Sequence, residues 1–216
     1  MDILKEISEC LQQGDDEKVS LLTRQAIEEK IPPREILDKS LIGGMNIIGE
    51  KYKAHEIFLP QVLLAAKAMY AGMDLLKPMF IKGEMPTMGR VIIGSVQGDL
   101  HDIGKNLVGI MLKGAGFEVI DLGNNVSPEK FVETAKKENA SVIGMSALLT
   151  TTMPVMQRTV DLLKEEGLGG KIKIIIGGAP VSEEFAQRIG ADAYGYDSTN
   201  AVESVKKLII ANELIK

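Results

Sequence analysis

The first eighty residues carry apolar side chains at steps of three and four, the spacing that lines one face of an α-helix. Leu37, Leu41, Met45 and Ile48 form one such stripe, and Val62, Ala66, Met69, Met73 and Leu76 form another. Two earlier helices are marked by their ends. Gly14 stops the first near Gln13, and Asp15 stands where it can cap the second, whose stripe is Val19, Leu22 and Ile27. Pro32-Pro33 separates that helix from the third, with Pro33 suited to a first turn. The pattern predicts four helices on short links, a small bundle over residues 1–85.

After Arg90 the period changes. β-branched runs at 91–96 (VIIGSV), 118–122 (EVIDL), 141–146 (SVIGMS), 172–176 (IKIII) and 193–196 (AYGY) alternate with helical segments near 103–115, 127–138, 154–166, 182–189 and 199–213. Near-continuous apolar strands are what burial on both faces requires. The alternation therefore predicts a doubly wound α/β domain over 90–216, Rossmann-like or flavodoxin-like, with five parallel strands. The stretch 81–89 (IKGEMPTMG) has Gly and Pro and no period, and is the predicted linker.

Composition narrows the function. Of 216 residues, 45% are apolar and 25% charged, a globular balance. A net charge of −5 with no run of Lys or Arg argues against nucleic acid or an anionic membrane as the primary partner. Cys10 is the only cysteine, so no internal disulfide forms, and the acidic start MDILKE is unlike a signal peptide. A reducing cytoplasm is the expected home. The apolar runs fall short of the ~20 residues that span a bilayer. Eleven Met and twenty-two Gly against four Tyr, five Phe and no Trp suit close backbone approach to something bulky, or plain gap filling.

A doubly wound sheet binds ligands beyond the carboxyl ends of its strands, which draws attention to the loop after the first. It runs from Gly94 to Asn106. Its glycines, at 94, 98 and 104, do not make G-x-G-x-x-G. Gly98 to Gly104 is one residue too long for a P-loop, and Asn106 replaces the hydroxyl that would hold magnesium. What remains is Asp99-x-His101-x-x-Gly104. On one reading Asp99 caps the next helix and His101 has no task. On the other, His101 coordinates a metal through Nε2 while a carboxylate holds its second nitrogen. His55 is the only other histidine, so a zinc site of three or four His/Cys ligands is hard to assemble. A lone histidine ligand suits a metal that arrives in its own macrocycle.

The run Gly98-Asp99-Leu100-His101-Asp102-Ile103-Gly104-Lys105-Asn106 resembles the D-x-H-x-x-G signature of cobalamin-binding domains, and Ser146-Ala147-Leu148 and Gly177-Gly178 resemble its other two parts. Residues 45–69 look like the helical cap that precedes this domain in cobalamin-dependent methionine synthase and in corrinoid proteins of methanogen and acetogen methyltransferase systems. The resemblance covers essentially the whole chain. It implies that His101 is the lower axial ligand of cobalt, that Asp99 holds its Nδ1–H, and that Thr152, serine in relatives, completes a relay. It also implies that Gly98, Leu100, Asp102 and Gly104 border the cofactor. Ser146, Leu148, Thr150, Gly177, Gly178 and Ser198 would border the slot for its displaced nucleotide tail. Tyr52, Leu59, Val62 and Leu63 match lid residues that shield the methyl group, although their spacing fits bundle core equally. His55 is expected at the surface.

The function implied is that of a methyl carrier using cobalamin, as methylcobalamin or a related corrinoid. A substrate-specific methyltransferase would load it and a second would unload it to a thiol or a tetrahydrofolate-type acceptor, with a reductive activase as a further partner. The donor stays open among methanol, methylamines, glycine betaine and methoxylated aromatics. No turnover is expected from the chain alone, because Cys10 has no recognisable histidine neighbour and no other nucleophile–base pair is evident. A cobalamin-dependent sensor would need an output module such as a basic recognition helix, which is not evident here. The small subunit of an adenosylcobalamin mutase shares the histidine motif but not the cap. A phospho-receiver would need an acidic cluster after the first strand.

Overall fold

The computed structural model describes residues 2–80 and 86–213, apart from the side chains of residues 212 and 213. The first five residues of the predicted linker, 81–85, lie outside the described residues. The chain divides into two compact units, Met1–Thr87 with Lys113–Gly116, and Met88–Leu112 with Phe117–Lys216.

The first unit is helical. Asp2 caps α1 (Ile3–Gln12) by accepting the Leu4 N–H at 3.1 Å, and Asp15 caps α2 (Asp16–Glu28) by accepting the Lys18 N–H at 3.0 Å. The predicted third helix is a composite: α3 (Pro33–Glu35) runs into a π-helical segment (Ile36–Ile42) and then α4 (Gly43–Lys53). Steps of four from Leu37 to Leu41 to Met45 drift by about 40° each on an ordinary α-helix. The wider π turns absorb that drift, and all three side chains stay buried, as does Ile48.

The last helix of the unit, α5 (Leu59–Leu76), packs on α2 and buries small residues, Ala65, Ala66, Ala68 and Gly72. A Cβ on Gly72 would come within 2.9 Å of Leu41 Cδ2 and 3.3 Å of Thr23 Oγ1. That close approach shifts the packing line from the sequence reading. On α2 the buried residues are Val19, Thr23 and Ala26, while Leu22 and Ile27 are half-buried, as is Met73 on α5.

The second unit holds β1 (Arg90–Ser95), α6 (Ile103–Gly114), β2 (Glu118–Asp121), α7 (Pro128–Lys137), β3 (Val142–Ser146), α8 (Pro154–Glu165), β4 (Lys173–Gly177), α9 (Glu183–Ile189), β5 (Ala193–Gly195) and α10 (Ser198–Glu213). All strands pair in parallel in the order β2-β1-β3-β4-β5, with Ile92, Ile143, Ile174 and Phe131 among the side chains filling the core. This is the five-stranded doubly wound sheet expected from the alternation. The chain reverses its direction of winding at β1 and β3, so their carboxyl ends form the crevice of such sheets.

Candidate functional site

The last row of sheet register is Ser95 on β1, Ser146 on β3, Gly177 on β4 and Gly195 on β5. No side chain larger than a hydroxymethyl stands there. Gly178, just beyond, has φ +123°, and a Cβ would fall 1.9 Å from Ala147 O, so only glycine fits. Beyond this row Leu100, Ile103, Leu148, Leu149 and Tyr196 are exposed, Ile103 at 78% and Leu100 at 69%. Large apolar side chains left open around a floor of small ones suit a bulky, largely apolar ligand.

The loop after β1 supplies the chemistry. Asp99 is completely buried, and its carboxylate meets donors from two loops. Oδ1 accepts the His101 backbone N–H at 3.1 Å and lies 2.8 Å from His101 Nδ1. Oδ2 accepts the N–H groups of Leu148 at 2.7 Å and Leu149 at 3.2 Å, and lies 3.0 Å from Thr152 Oγ1. Burial alone would raise this carboxyl, but the hydrogen bonds from Leu148, His101 and Leu149 outweigh it and hold the group well below the ordinary carboxylate range. An ionised carboxylate can only accept, so His101 Nδ1 donates, which leaves Nε2 as the ring nitrogen available to a ligand. The His101 side chain is 54% exposed, open to a ligand.

Thr152 Oγ1 also lies 2.8 Å from Leu149 O. The single hydroxyl proton can go to either acceptor, so the threonine stands between the carboxylate and the turn that precedes α8. Among the described residues no cluster of three or more His, Cys, Asp and Glu could hold a bare metal ion. The arrangement offers one imidazole to a metal and leaves the other ligands to whatever carries it.

The structure thus brings Asp99, His101, Thr152 and the backbone of Leu148 together. Gly98 has φ +86° and opens the turn, and Asp102 accepts the Asn106 N–H as α6 begins. Gly104, in that first turn, has nothing within 4 Å of where a Cβ would stand. Thr150 is exposed in the turn after β3, and Ser198 is buried at the start of α10, beside the capping residue Asp197. In the helical unit Tyr52 and Leu59 are half-buried and Leu63 is 44% exposed. Val62 is wholly buried and, as the bundle stands, has no surface to offer a ligand. His55 is exposed.

Four residues at the site were not singled out by the sequence. Ser95 Oγ donates to His101 O at 2.6 Å, and Asn125 Oδ1 accepts the Gly98 N–H at 2.8 Å. Lys105, nearly buried, pairs with Asp121 at 2.6 Å. Asn125 is in the left-handed region, φ 54°, which Asn tolerates better than most residues. The Asn124-Asn125 pair after Gly123 could have been read as a turn, but nothing local reveals what it holds.

Comparison with known proteins agrees with this chemistry. Residues 89–206 match a family model described as a B12 binding domain, and residues 3–77 match a second model of the same description. Dimethylamine corrinoid protein 1 of Methanosarcina acetivorans is 46% identical over 83% of this chain and 85% of its own length. Among solved structures, a cobalamin-binding protein from Desulfitobacterium hafniense is 32% identical, with a TM-score of 0.76 over 95% of this chain and 98% of that one. The methanol:cobalamin methyltransferase complex MtaBC of Methanosarcina barkeri is 29% identical, with a TM-score of 0.89 over 100% of this chain and 85% of that one. An imidazole oriented by a buried carboxylate, a floor of small residues and these matches agree: the chain belongs to the B12-binding corrinoid proteins and binds a corrinoid.

Proposed function

We propose that this chain is the methyl carrier of a corrinoid-dependent methyltransferase system, with His101 as the protein ligand to cobalt. The observation that carries the reading is Asp99 Oδ1 at 2.8 Å from His101 Nδ1, on a carboxylate that hydrogen bonds keep ionised. When bound, a corrinoid supplies a cobalt centre that takes up and gives up a methyl group. The chain's own part is to fix the imidazole tautomer, present Nε2, and leave room beside Gly104 and the Ser146–Gly177–Gly195 row for a large ligand. Tyr52, Leu59 and Leu63 give the helical unit apolar side chains suited to shielding a methyl group.

The partners in this reading are one methyltransferase that loads the carrier and a second that unloads it to a thiol or pterin, in the cytoplasm. Among the described residues no helix is long and apolar enough to cross a membrane. Methylated amines are the donors to test first, because a 46% identical relative is named a dimethylamine corrinoid protein. The protein is loaded with cobalamin, reduced, and offered methylamines, methanol, glycine betaine or a methoxyaromatic, with and without a purified methyltransferase. A spectral change of the cofactor at a catalytic rate only with the added methyltransferase is expected. Catalytic methylation by the chain alone would overturn the carrier reading.

A further inference from the structure

The loop that carries His101 has no periodic structure, yet its backbone is held on several sides by groups outside it. We infer that Ser95 and Asn125 form a clamp on this loop and act as positioning residues for His101, setting how readily the imidazole occupies the cobalt without touching the cofactor themselves. The inference rests on the reading of His101 as the cobalt ligand.

Ser95 is fully buried at the carboxyl end of β1 and ties three segments together. Its N–H donates to Gly123 O at 3.0 Å, its carbonyl accepts the Val126 N–H at 3.0 Å, and its hydroxyl donates to the carbonyl of His101 itself at 2.6 Å. Asn125 comes from the loop that Ser95 pins. Its Oδ1 accepts the Gly98 N–H at 2.8 Å, and its own N–H donates to Asp99 O at 3.0 Å, so the two bonds bracket Asp99 on the main chain. A non-glycine residue at φ 54° is held there by such bonds, since the conformation costs free energy on its own.

These three bonds from Ser95 and Asn125 do not involve the Asp99 carboxylate, so they fix the backbone independently of its bonds to Leu148, Leu149 and Thr152. A loop pinned at Gly98, Asp99 and His101 presents one conformation to a ligand. A loop released at these points samples others, and its apparent affinity for the metal falls by the fraction of time it spends away. Loss of one neutral hydrogen bond corresponds to about a fivefold smaller ratio of histidine-bound to histidine-free cobalt.

The test uses the full chain loaded with cobalamin and reduced to cobalt(II), with nitrogen-15 histidine, read by the superhyperfine splitting in the EPR spectrum. Asn125→Gly keeps the left-handed backbone and the N–H to Asp99 but removes the acceptor for Gly98, so it folds without new strain. Ser95→Ala removes the other bond. Both are expected to lower the ratio of histidine-bound to histidine-free cobalt about fivefold per lost bond, while Asn125→Asp and Ser95→Thr restore it. Wild-type spectra without a label-sensitive splitting would overturn the ligand reading and the clamp with it. A label-sensitive wild type with an unchanged Asn125→Gly spectrum would overturn the clamp alone. If Ser95→Ala does not fold, Asn125→Gly and its rescue by Asn125→Asp decide the matter.

Discussion

Lys105 and Asp121 form an unequal pair: their charged atoms lie 2.6 Å apart, yet the lysine side chain is 3% exposed and the aspartate 38%. The ammonium also donates to Asn106 Oδ1 at 2.7 Å, and Asp121 Oδ1 accepts the Gly123 N–H at 2.8 Å. Removing the exposed partner strands a buried charge, whereas removing the buried one leaves a carboxylate that water reaches. Asp121→Ala is therefore expected to cost about 3 kcal/mol, and Lys105→Met about 1 kcal/mol. Urea unfolding of the two variants gives the ranking, and equal losses would mean that both charges are equally hydrated.

Two glycines at the site should respond in opposite ways. At Gly178 a Cβ would lie 1.9 Å from Ala147 O with φ at +123°, so Gly178→Ala should destabilise the protein by about 3 kcal/mol or more. Gly104 has no positive φ and open space around the Cβ position, so Gly104→Ala should leave stability unchanged or raise it by about 0.5 kcal/mol. Its effect should appear in cobalamin titration, as weaker binding. Thermal melting and titration of the same two variants separate a glycine the fold needs from one the ligand needs.

In the helical unit, burial divides neighbouring residues. Val62→Ala removes wholly buried atoms and should cost about 2 kcal/mol, while Leu63→Ala should cost under about 0.5 kcal/mol. If exposed apolar residues shield the methyl group, Leu63→Ala should speed photolysis of bound methylcobalamin although it barely moves the unfolding midpoint. Unchanged photolysis would remove Leu63 from that role.

Cys10 gives a pH-dependent expectation. Burial pushes its thiol up, Lys18 pulls it partly back, and Asp15, Glu6 and Glu9 raise it further. An acid with a raised pKa holds less of its reactive anion at a given pH, so at pH 8 Cys10 should react with aromatic disulfide reagents more slowly than free cysteine. Unfolding in denaturant should abolish the difference. A native rate equal to that of the free amino acid would contradict the burial effect.

The sequence made the helical and β-α halves legible because each rests on a local period. It also showed the caps at Asp15 and the stop at Gly14. It did not show the end of α4, where His55 adopts φ 57° and the N–H groups of His55 and Glu56 close onto Tyr52 O and Lys51 O. Lys30 closes α2 in the same way with φ 61°. Residues in that conformation are usually glycine, so these two gave no local signal. The π-helical segment was hidden because a stripe at steps of four reads as an α-helix. At the site, Asp99, His101 and Thr152 were reached through a motif, whereas Asn125, Lys105 and Asp121 act through partners that strand pairing brings together, which no short window encodes.

The donors to Asp99 Oδ2 come from residues 49 to 53 positions further along the chain. During synthesis the segment with the histidine leaves the ribosome well before the turn that encloses and aims its carboxylate. Until β3 pairs with β1, Asp99 is an ordinary solvated side chain and the imidazole has no fixed tautomer. On the proposed reading of the site, corrinoid capture is expected to follow sheet assembly rather than to template it. Once captured, the ligand draws on contacts that exist only in the assembled sheet, so at one hundred times its dissociation constant it adds about 2.7 kcal/mol to the stability of that whole unit. A newly made chain thus displays the family's signature for some time before it has anywhere to put the cofactor.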